Sequence, residues 1–406
     1  GKFFRIDYYV QRPSTTISNQ ISSACKSDSN RRRYTMNTQS TDVVIVGGGI
    51  VGVATAYLLG KAGINSVIIE KDSIGSHASG FAYGGIGRGV QPGPHTAIQS
   101  EGWKIHNEFA RILPEETGVD IQFRHRSSLS LAFTDNEVSN LQDNLKLHQL
   151  NGEGNAHWVD AEGAKNIESR ISPEIIGGIY SEEGADVEPY RLMIALVQAS
   201  ERVGATVRND RVIGLKTKAG HVEGVLLEKG NLSCQNVVLA MGPWSGEASS
   251  WINLPLEVRP LKGQILRLQT DEEPFTCSLG WSGNYATSKP DGLLWAGTTE
   301  EEAGFDDTPT SDGRDKIMAS LLKMIPSVTE ARLAQHTACL RPVSSDGLLV
   351  LGKVPEIEGV YIATGAGRQG IVMGPAMARV ITDLITKDST SIPIDKFDPS
   401  RFAKSF

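Results

Sequence analysis

The sequence predicts an α/β fold with two interleaved domains, and three observations predict it. The chain has 406 residues, more than one hydrophobic core usually organises. Residues 42–70 read as strand, glycine turn, helix and strand. A second buried-strand pattern of the same kind returns at residues 236–241, after a long excursion. Composition is globular, with 39% hydrophobic and 21% charged residues. The net charge of -7 excludes a basic field for nucleic acid. Glycine is the outlier, at 43 residues against roughly 7% in an average protein. Thirteen of these fall between Gly47 and Gly93 and seven between Gly347 and Gly374. No three-residue period is present, so the excess marks places of close backbone approach.

The first forty residues stand apart, with seven Lys/Arg, seven Ser and only Asp7 and Asp28 as acids. They read as a disordered or targeting extension over residues 1–40. Either the segment is a transit peptide, which would place the protein in an organelle matrix such as that of mitochondria, or it is translated upstream sequence. In the second case Met36, six residues before the first strand, is the start and the protein is cytoplasmic; this reading is preferred. The eighteen uncharged residues Val43 to Gly60 are interrupted by three glycines, so they predict strand, turn and helix, and no membrane span is expected. Cys25, Cys234, Cys277 and Cys339 show no zinc spacing and imply a reducing compartment.

DVVIV at 42–46 is an apolar, β-branched run that suits a strand buried on both faces. Gly47, Gly49 and Gly52 follow as GxGxxG, then helix formers to Lys61, Gly63 as a stop, and a second strand, SVII, ending in Glu70. This complete βαβ unit is a Rossmann-type dinucleotide site. Gly47 permits the tight turn, Gly49 lets backbone approach a pyrophosphate, and Gly52 lets helix and strand pack. The helix N-terminus meets phosphate charge, and Glu70 is placed for the ribose hydroxyls. A second match, Gly365, Gly367 and Gly370, follows VYIAT and opens a helix from Ile371 to about Ile385. The short, proline-containing tail after it has no strand ending in an acid, so we read it as a loop facing the other end of the same cofactor. The small, glycine-rich residues 76–85 suit a long cofactor in a backbone groove. A helix is expected over 95–113. Strands around Val212 and over 222–228 lead back to NVVLAM at 236–241, and this excursion and return favours a flavin over a nicotinamide.

From Asp42 to about Phe402 the chain resembles the D-amino-acid oxidase superfamily of flavoproteins, and within it the glycine oxidase and D-amino-acid dehydrogenase branch. The motifs that carry the likeness are DVVIVGGGIVG, VVLAMGPWSG with VRPLKGQILRL, YATSKPDGLLWAGTTEEEAGFD, CLRPVSSDGLLVLG and GVYIATGAGRQGIVMGPAMARVITDLI. The resemblance implies FAD, a nucleotide-binding domain split over residues 41–100, 171–250 and 336–406, and a substrate domain on an antiparallel sheet over 101–170 and 251–335. It implies FAD contacts at Ile50 and Val51, at Glu70 and Lys71, at Ala78, Ser79, Tyr83, Gly84 and Gly85, at Val212, and from Ala366 through Gly367, Arg368, Gln369, Gly370 and Ile371 to Val372.

By the same resemblance Arg341 holds a substrate carboxylate, a task that suits guanidinium because its fork pairs both oxygens and never loses charge. Tyr285 reaches the same carboxylate, and Arg368 assists from the cofactor loop. The chain departs from the glycine oxidase pattern at Ala366, Gln369 and Gly283, which puts the substrate in question more than the reaction. Cys339 aligns with the covalent flavin link of sarcosine-oxidase relatives, though ordinary packing is the favoured reading. Trp244 is expected at the domain junction. The run Glu300 to Glu302 reads as a solvated face, and no metal site is expected. The activity implied is oxidation of the carbon–nitrogen bond of a small amino acid or secondary amine by hydride transfer to flavin N5, with oxygen or another acceptor taking the electrons. A dehydrogenase feeding a quinone or partner protein, and a non-catalytic assembly factor, share these motifs. A homo-oligomer is compatible with the sequence.

Overall fold

The computed structural model describes residues 40–87, 93–150 and 155–403, with side chains omitted at 148–150. The extension expected over residues 1–40 lies outside the described residues except for Ser40. That residue opens the first strand, Ser40–Val46, which pairs in parallel with Ser66–Glu70 on one side and Gly230–Leu239 on the other. Thr206–Asn209 and Val360–Thr364 extend the parallel core at its two edges. Val350–Lys353 and the hairpin of Val212–Lys218 with His221–Leu227 complete eight strands.

Alternation along the first strand explains why it is central. Val43 and Ile45 pack against the helices Ile50–Lys61, Thr96–Thr117, Pro189–Arg202 and Gly370–Lys387. Val44 and Val46 pack on the opposite face against the hairpin and the 248–258 segment. Its buried part, 43–46, is therefore apolar on both faces of the pleat, as a strand covered on both faces must be. The Thr96–Thr117 helix runs one turn beyond the expected 113, through Pro114, and ends at Gly118 in the left-handed region (φ 76°). After Gly370–Lys387 only short 3₁₀ turns follow among the described residues, so the second glycine loop opens no further βαβ unit.

The second sheet runs in the order Arg332–Ser344, Val258–Gln269, Leu294–Gly297, Asn284–Ser288, Ser278–Trp281, Ser128–Ala132, Gly177–Ser181 and Ala156–Asp160. Every neighbouring pair is antiparallel except Ser278–Trp281 with Ser128–Ala132. The helix Ser311–Met324 covers one of its faces through Ile317, Leu321 and Met324. A small sheet of Gly85–Gly87, Gly184–Asp186 and Arg124–His125 lies apart from both.

This pairing corrects the expected domain limits. The resemblance implies that 171–250 and 336–406 belong to the nucleotide-binding part, yet Gly177–Ser181 and Arg332–Ser344 pair within the antiparallel sheet. The physical reason is the length of the Arg332–Ser344 strand. It keeps register with Val258–Gln269 from Ser344 opposite Val258 to Arg332 opposite Gln269, with one bulge, and a boundary at 336 would cut through that ladder.

Candidate active site

The glycine turn after the first strand is built by exclusion of side chains. Gly47 has φ 110°, and a Cβ there would lie 2.3 Å from the Ala240 carbonyl oxygen; one on Gly52 would lie 2.0 Å from the Gly47 oxygen. No side chain fits either place, so helix and strands close on one another. Gly49 stands at the helix N-terminus without a side-chain cap of its own. Instead Ser79 Oγ accepts the Ile50 N–H at 3.0 Å, from 29 residues on. Glu70 is buried at the end of the second strand and accepts N–H bonds from Gly48 (2.6 Å) and Asp72 (2.8 Å). A carboxylate has about four acceptor positions, so Glu70 keeps capacity for a ligand hydroxyl. Beside it Lys71 Nζ lies 3.7 Å above the Trp244 ring, which stacks on Phe305.

At the other end, the strand Val360–Thr364 leads to Gly365 (φ 85°), Gly367 (φ 51°) and the helix Gly370–Lys387. His106 fixes the opening of that helix by donating its Nε2–H to the Ile371 carbonyl at 2.7 Å. Burial pulls the pKa of this imidazole down to about 4, partly offset by that bond. Arg368 lies on the loop, 41% exposed on its side chain, donating to the Gly283 carbonyl (2.6 Å) and pairing with Glu300 (3.3 Å).

Arg341 and Tyr285 come from different strands of the antiparallel sheet. Arg341 is 9% exposed and donates to the Thr299 carbonyl (3.0 Å) and Thr298 Oγ1 (2.7 Å), both neutral oxygens. Its guanidinium occupies the space that a side chain on Gly263 would need, 2.0 Å from the Cβ position. A buried cation whose described partners carry no charge is poised for an anion. Tyr285 stacks on Tyr83 at 4.2 Å between ring centroids, and burial pushes its phenol well above the ordinary range. Tyr83 turns its hydroxyl away, to Ser278 Oγ.

One cavity of about 620 Å³ joins the two ends. Gly47, Gly49, Ile50 and Val51 line it, as do Glu70 and Lys71, Ala78, Ser79 and Tyr83, Val212, the loop residues Ala366, Gly367, Arg368, Gly370 and Ile371, and both Tyr285 and Arg341. Four expected contacts, Gly84, Gly85, Gln369 and Val372, are not among the lining residues, and neither is Gly52, whose expected role is packing. Gly52, Gly84 and Gly85 serve packing, since Cβ atoms on Gly84 and Gly85 would strike the Val187 oxygen (2.2 Å) and the Tyr83 ring (2.6 Å). Gln369 hydrogen-bonds Gln99, and the Val372 carbonyl packs 1.9 Å from where a Gly102 Cβ would stand. Unforeseen lining residues include Gly242, Thr298 and Gly280, while Trp244 and Cys339, weighed chiefly as packing, also face the cavity. Burial raises the Cys339 thiol above its usual range, with Arg341 opposing. Among the described residues no cluster could hold a metal, and no helix is long and apolar enough to cross a membrane.

The cavity fits a long dinucleotide. Its walls are backbone where a phosphate chain would pass: a Gly49 Cβ would meet only Ser79 Oγ at 3.2 Å, one on Gly242 nothing within 4 Å, and one on Gly367 only Val343 at 4.0 Å. A helix N-terminus whose Ile50 N–H is held by Ser79 Oγ, an acid for hydroxyls and an apolar end bounded by tyrosine complete a set of groups that fits FAD.

The chain is similar to known FAD-dependent proteins. The family model described as "DAO: FAD dependent oxidoreductase" matches residues 42–384. The chain is 30% identical over 353 residues to glycine oxidase from Pseudomonas putida, covering 86% of this chain and 95% of that protein. Against glycine oxidase from Bacillus subtilis the identity is 27% over 347 residues, with 85% and 92% covered. The crystal structure of glycine oxidase from Geobacillus kaustophilus matches with a TM-score of 0.86 at 26% identity, covering 90% of this chain and 99% of that one.

Proposed function

Because this chain belongs to the DAO family of FAD-dependent oxidoreductases, we propose that it oxidises the carbon–nitrogen bond of a small amino acid or secondary amine, with oxygen as the final acceptor. One observation carries the reading: Arg341, buried and without a described carboxylate partner, faces the cavity that also holds the glycine turn.

Arg341 binds the substrate carboxylate through its fork, and the neutral oxygens of Thr298 and Thr299 fix the plane of the guanidinium. Tyr285 donates its hydroxyl to the same carboxylate. Its raised pKa keeps the proton in place across the working range, and the stack on Tyr83 sets the ring plane. With the carboxylate held twice, the carbon bearing the amine is oriented before reaction, which makes the step effectively intramolecular. When bound, FAD supplies the two-electron acceptor for the hydride leaving that carbon. The helix Gly370–Lys387 opens at the cavity, which Gly370 and Ile371 line, so its N-terminal dipole end favours negative charge there, and His106 holds that turn through the Ile371 carbonyl. The described partners of Arg341, the Thr299 carbonyl and Thr298 Oγ1, offer the amine no general base. The amine therefore enters neutral, having released its proton to solvent. The imine product hydrolyses to a keto acid or glyoxylate and an amine or ammonia.

The test is an anaerobic panel of amino acids and amines scored by flavin bleaching, followed by peroxide yield under air. Arg341→Lys keeps the charge but loses the fork. It is expected to weaken reduction by carboxylate substrates at least about ten-fold in kcat/KM, the scale of one lost charge-assisted bond. Unchanged kcat/KM in that variant, or no bleaching by any carboxylate, defeats the assignment.

A further inference from the structure

Tyr285 stands in a row of residues that cross the antiparallel sheet in register. Ser130 lies opposite Gly280, Gly280 opposite Tyr285, and Tyr285 opposite Gly297. In-register neighbours point to the same face, and Ser130, Gly280 and Tyr285 all line the cavity. The two glycines beside Tyr285 differ in what they make room for. A Cβ on Gly297 would lie 2.5 Å from the Tyr285 hydroxyl, so the phenol leans over Gly297, toward Thr298 and Arg341. On the other side a Cβ on Gly280 would fit without strain, in ordinary contact with the Asn284 oxygen at 3.8 Å and Ser130 Oγ at 3.9 Å. Gly280 does not have a positive φ, so turn geometry is no reason for glycine there. Leu141 and Trp281 line the cavity as well. Trp281 is held by its indole N–H to Glu137 (2.9 Å) and by an edge contact with Phe133.

We propose that the open patch over Gly280 and Ser130 is a subsite for a bulky apolar substituent next to the reacting carbon–nitrogen bond, so that the chain prefers such a substrate to glycine. The inference rests on the reading that Arg341 and Tyr285 hold the carboxylate. Strands lie roughly 5 Å apart, so Gly280 is one strand and Ser130 two strands beyond Tyr285. A ring or branched chain carried on the α-carbon or the nitrogen spans that distance, and the single hydrogens of glycine do not. Within 4 Å of a Gly280 Cβ the floor offers the Ser130 hydroxyl and the Asn284 oxygen and no charged atom, which suits an uncharged, largely apolar group.

The experiment uses the FAD-loaded protein and two probes that do not react, acetate and phenylacetate, with binding read from the perturbation of flavin absorbance. Phenylacetate is expected to bind at least about ten-fold more tightly than acetate, since even one methylene in an apolar pocket is worth that factor. Gly280→Leu, which fills the patch, should bring the ratio close to one, and the milder Gly280→Ala should give an intermediate ratio if the larger variant fails to fold. In the reaction itself, kcat/KM for N-benzylglycine and for leucine and phenylalanine of either hand should exceed that for glycine, with N-substituted and α-substituted substrates showing which atom carries the group. Equal binding of the two probes by the wild type, or a ratio that Gly280→Leu leaves unchanged, overturns the proposal. If acetate binds and glycine reacts while the bulky compounds do neither, the subsite alone is refuted. If no carboxylate perturbs or reduces the flavin, the role of Arg341 fails first and takes the subsite with it.

Discussion

His106 shows how a single buried side chain couples the site to stability. It is fully buried, donates to Ile371, and leaves Nδ1 without a hydrogen-bond partner. Its native pKa is about 4, against about 6.5 in an unfolded chain. Between these values the unfolded state binds a proton that the native state refuses, so stability is full above pH 6.5 and falls as pH drops through the window. Linkage puts the loss at about 2 kcal/mol between pH 7 and pH 5. His95 and His336 shift in the same direction, which makes the informative quantity a difference. His106→Gln retains a donor for the Ile371 carbonyl but does not titrate. Urea unfolding at the two pH values should show the variant losing about 2 kcal/mol less than the wild type, and equal losses would remove His106 from the account.

At the scale of the element, the first βαβ unit depends on two backbone contacts that no side chain can share. A methyl on Gly52 would stand 2.0 Å from the Gly47 oxygen, which is backbone and cannot swing away. Gly52→Ala is expected to cost about 1–3 kcal/mol, the range of overpacking, and to weaken FAD retention by tilting the helix N-terminus. Gly87→Ala, with nothing within 4 Å of the new methyl, should stay within about 0.5 kcal/mol of the wild type. Thermal unfolding and the flavin content after gel filtration measure both. This unit was legible because its constraints are local: a turn, a helix opening and a terminal acid lie within 29 residues of one another. The segments around 101 to 150 and 275 to 290 were legible as the ones that select substrate, but the row from Ser130 to Gly297 was not, because cross-strand neighbours follow from register between segments 150 residues apart. Gly84 and Gly85 mislead for a related reason. Their glycine signal is real, but it reports packing on Val187 and Tyr83, and sequence does not say which partner a glycine approaches.

Across the whole molecule, the least legible feature is a buried charge cluster between the small sheet and the antiparallel sheet. Asp186 ends a strand of the small sheet and is 1% exposed, as is Lys289, which follows Asn284–Ser288 of the antiparallel sheet. Arg124 binds Asp186 with a two-pronged contact (2.8 and 3.0 Å), Lys289 Nζ lies 3.6 Å from it, and the same ammonium donates to the Val187 carbonyl at the edge of the helical core. Scattered over 165 positions, these charges look like ordinary surface residues, and only the fold makes them a group. Burial drives the Lys289 pKa down to about 8 even with Asp186 pulling the other way, so desolvation outweighs the pairing. That ordering predicts an asymmetry. Asp186→Ala leaves two cations beside a vacated site and should cost about 3–5 kcal/mol, the usual penalty for breaking a buried pair. Adding Lys289→Met removes one stranded charge, so the double variant should be more stable than Asp186→Ala alone. Denaturant unfolding of the four-member cycle reads the coupling directly. A double variant as unstable as the sum of its parts would show that Lys289 and Asp186 act independently, and that the two sheets are joined by packing rather than by this pair.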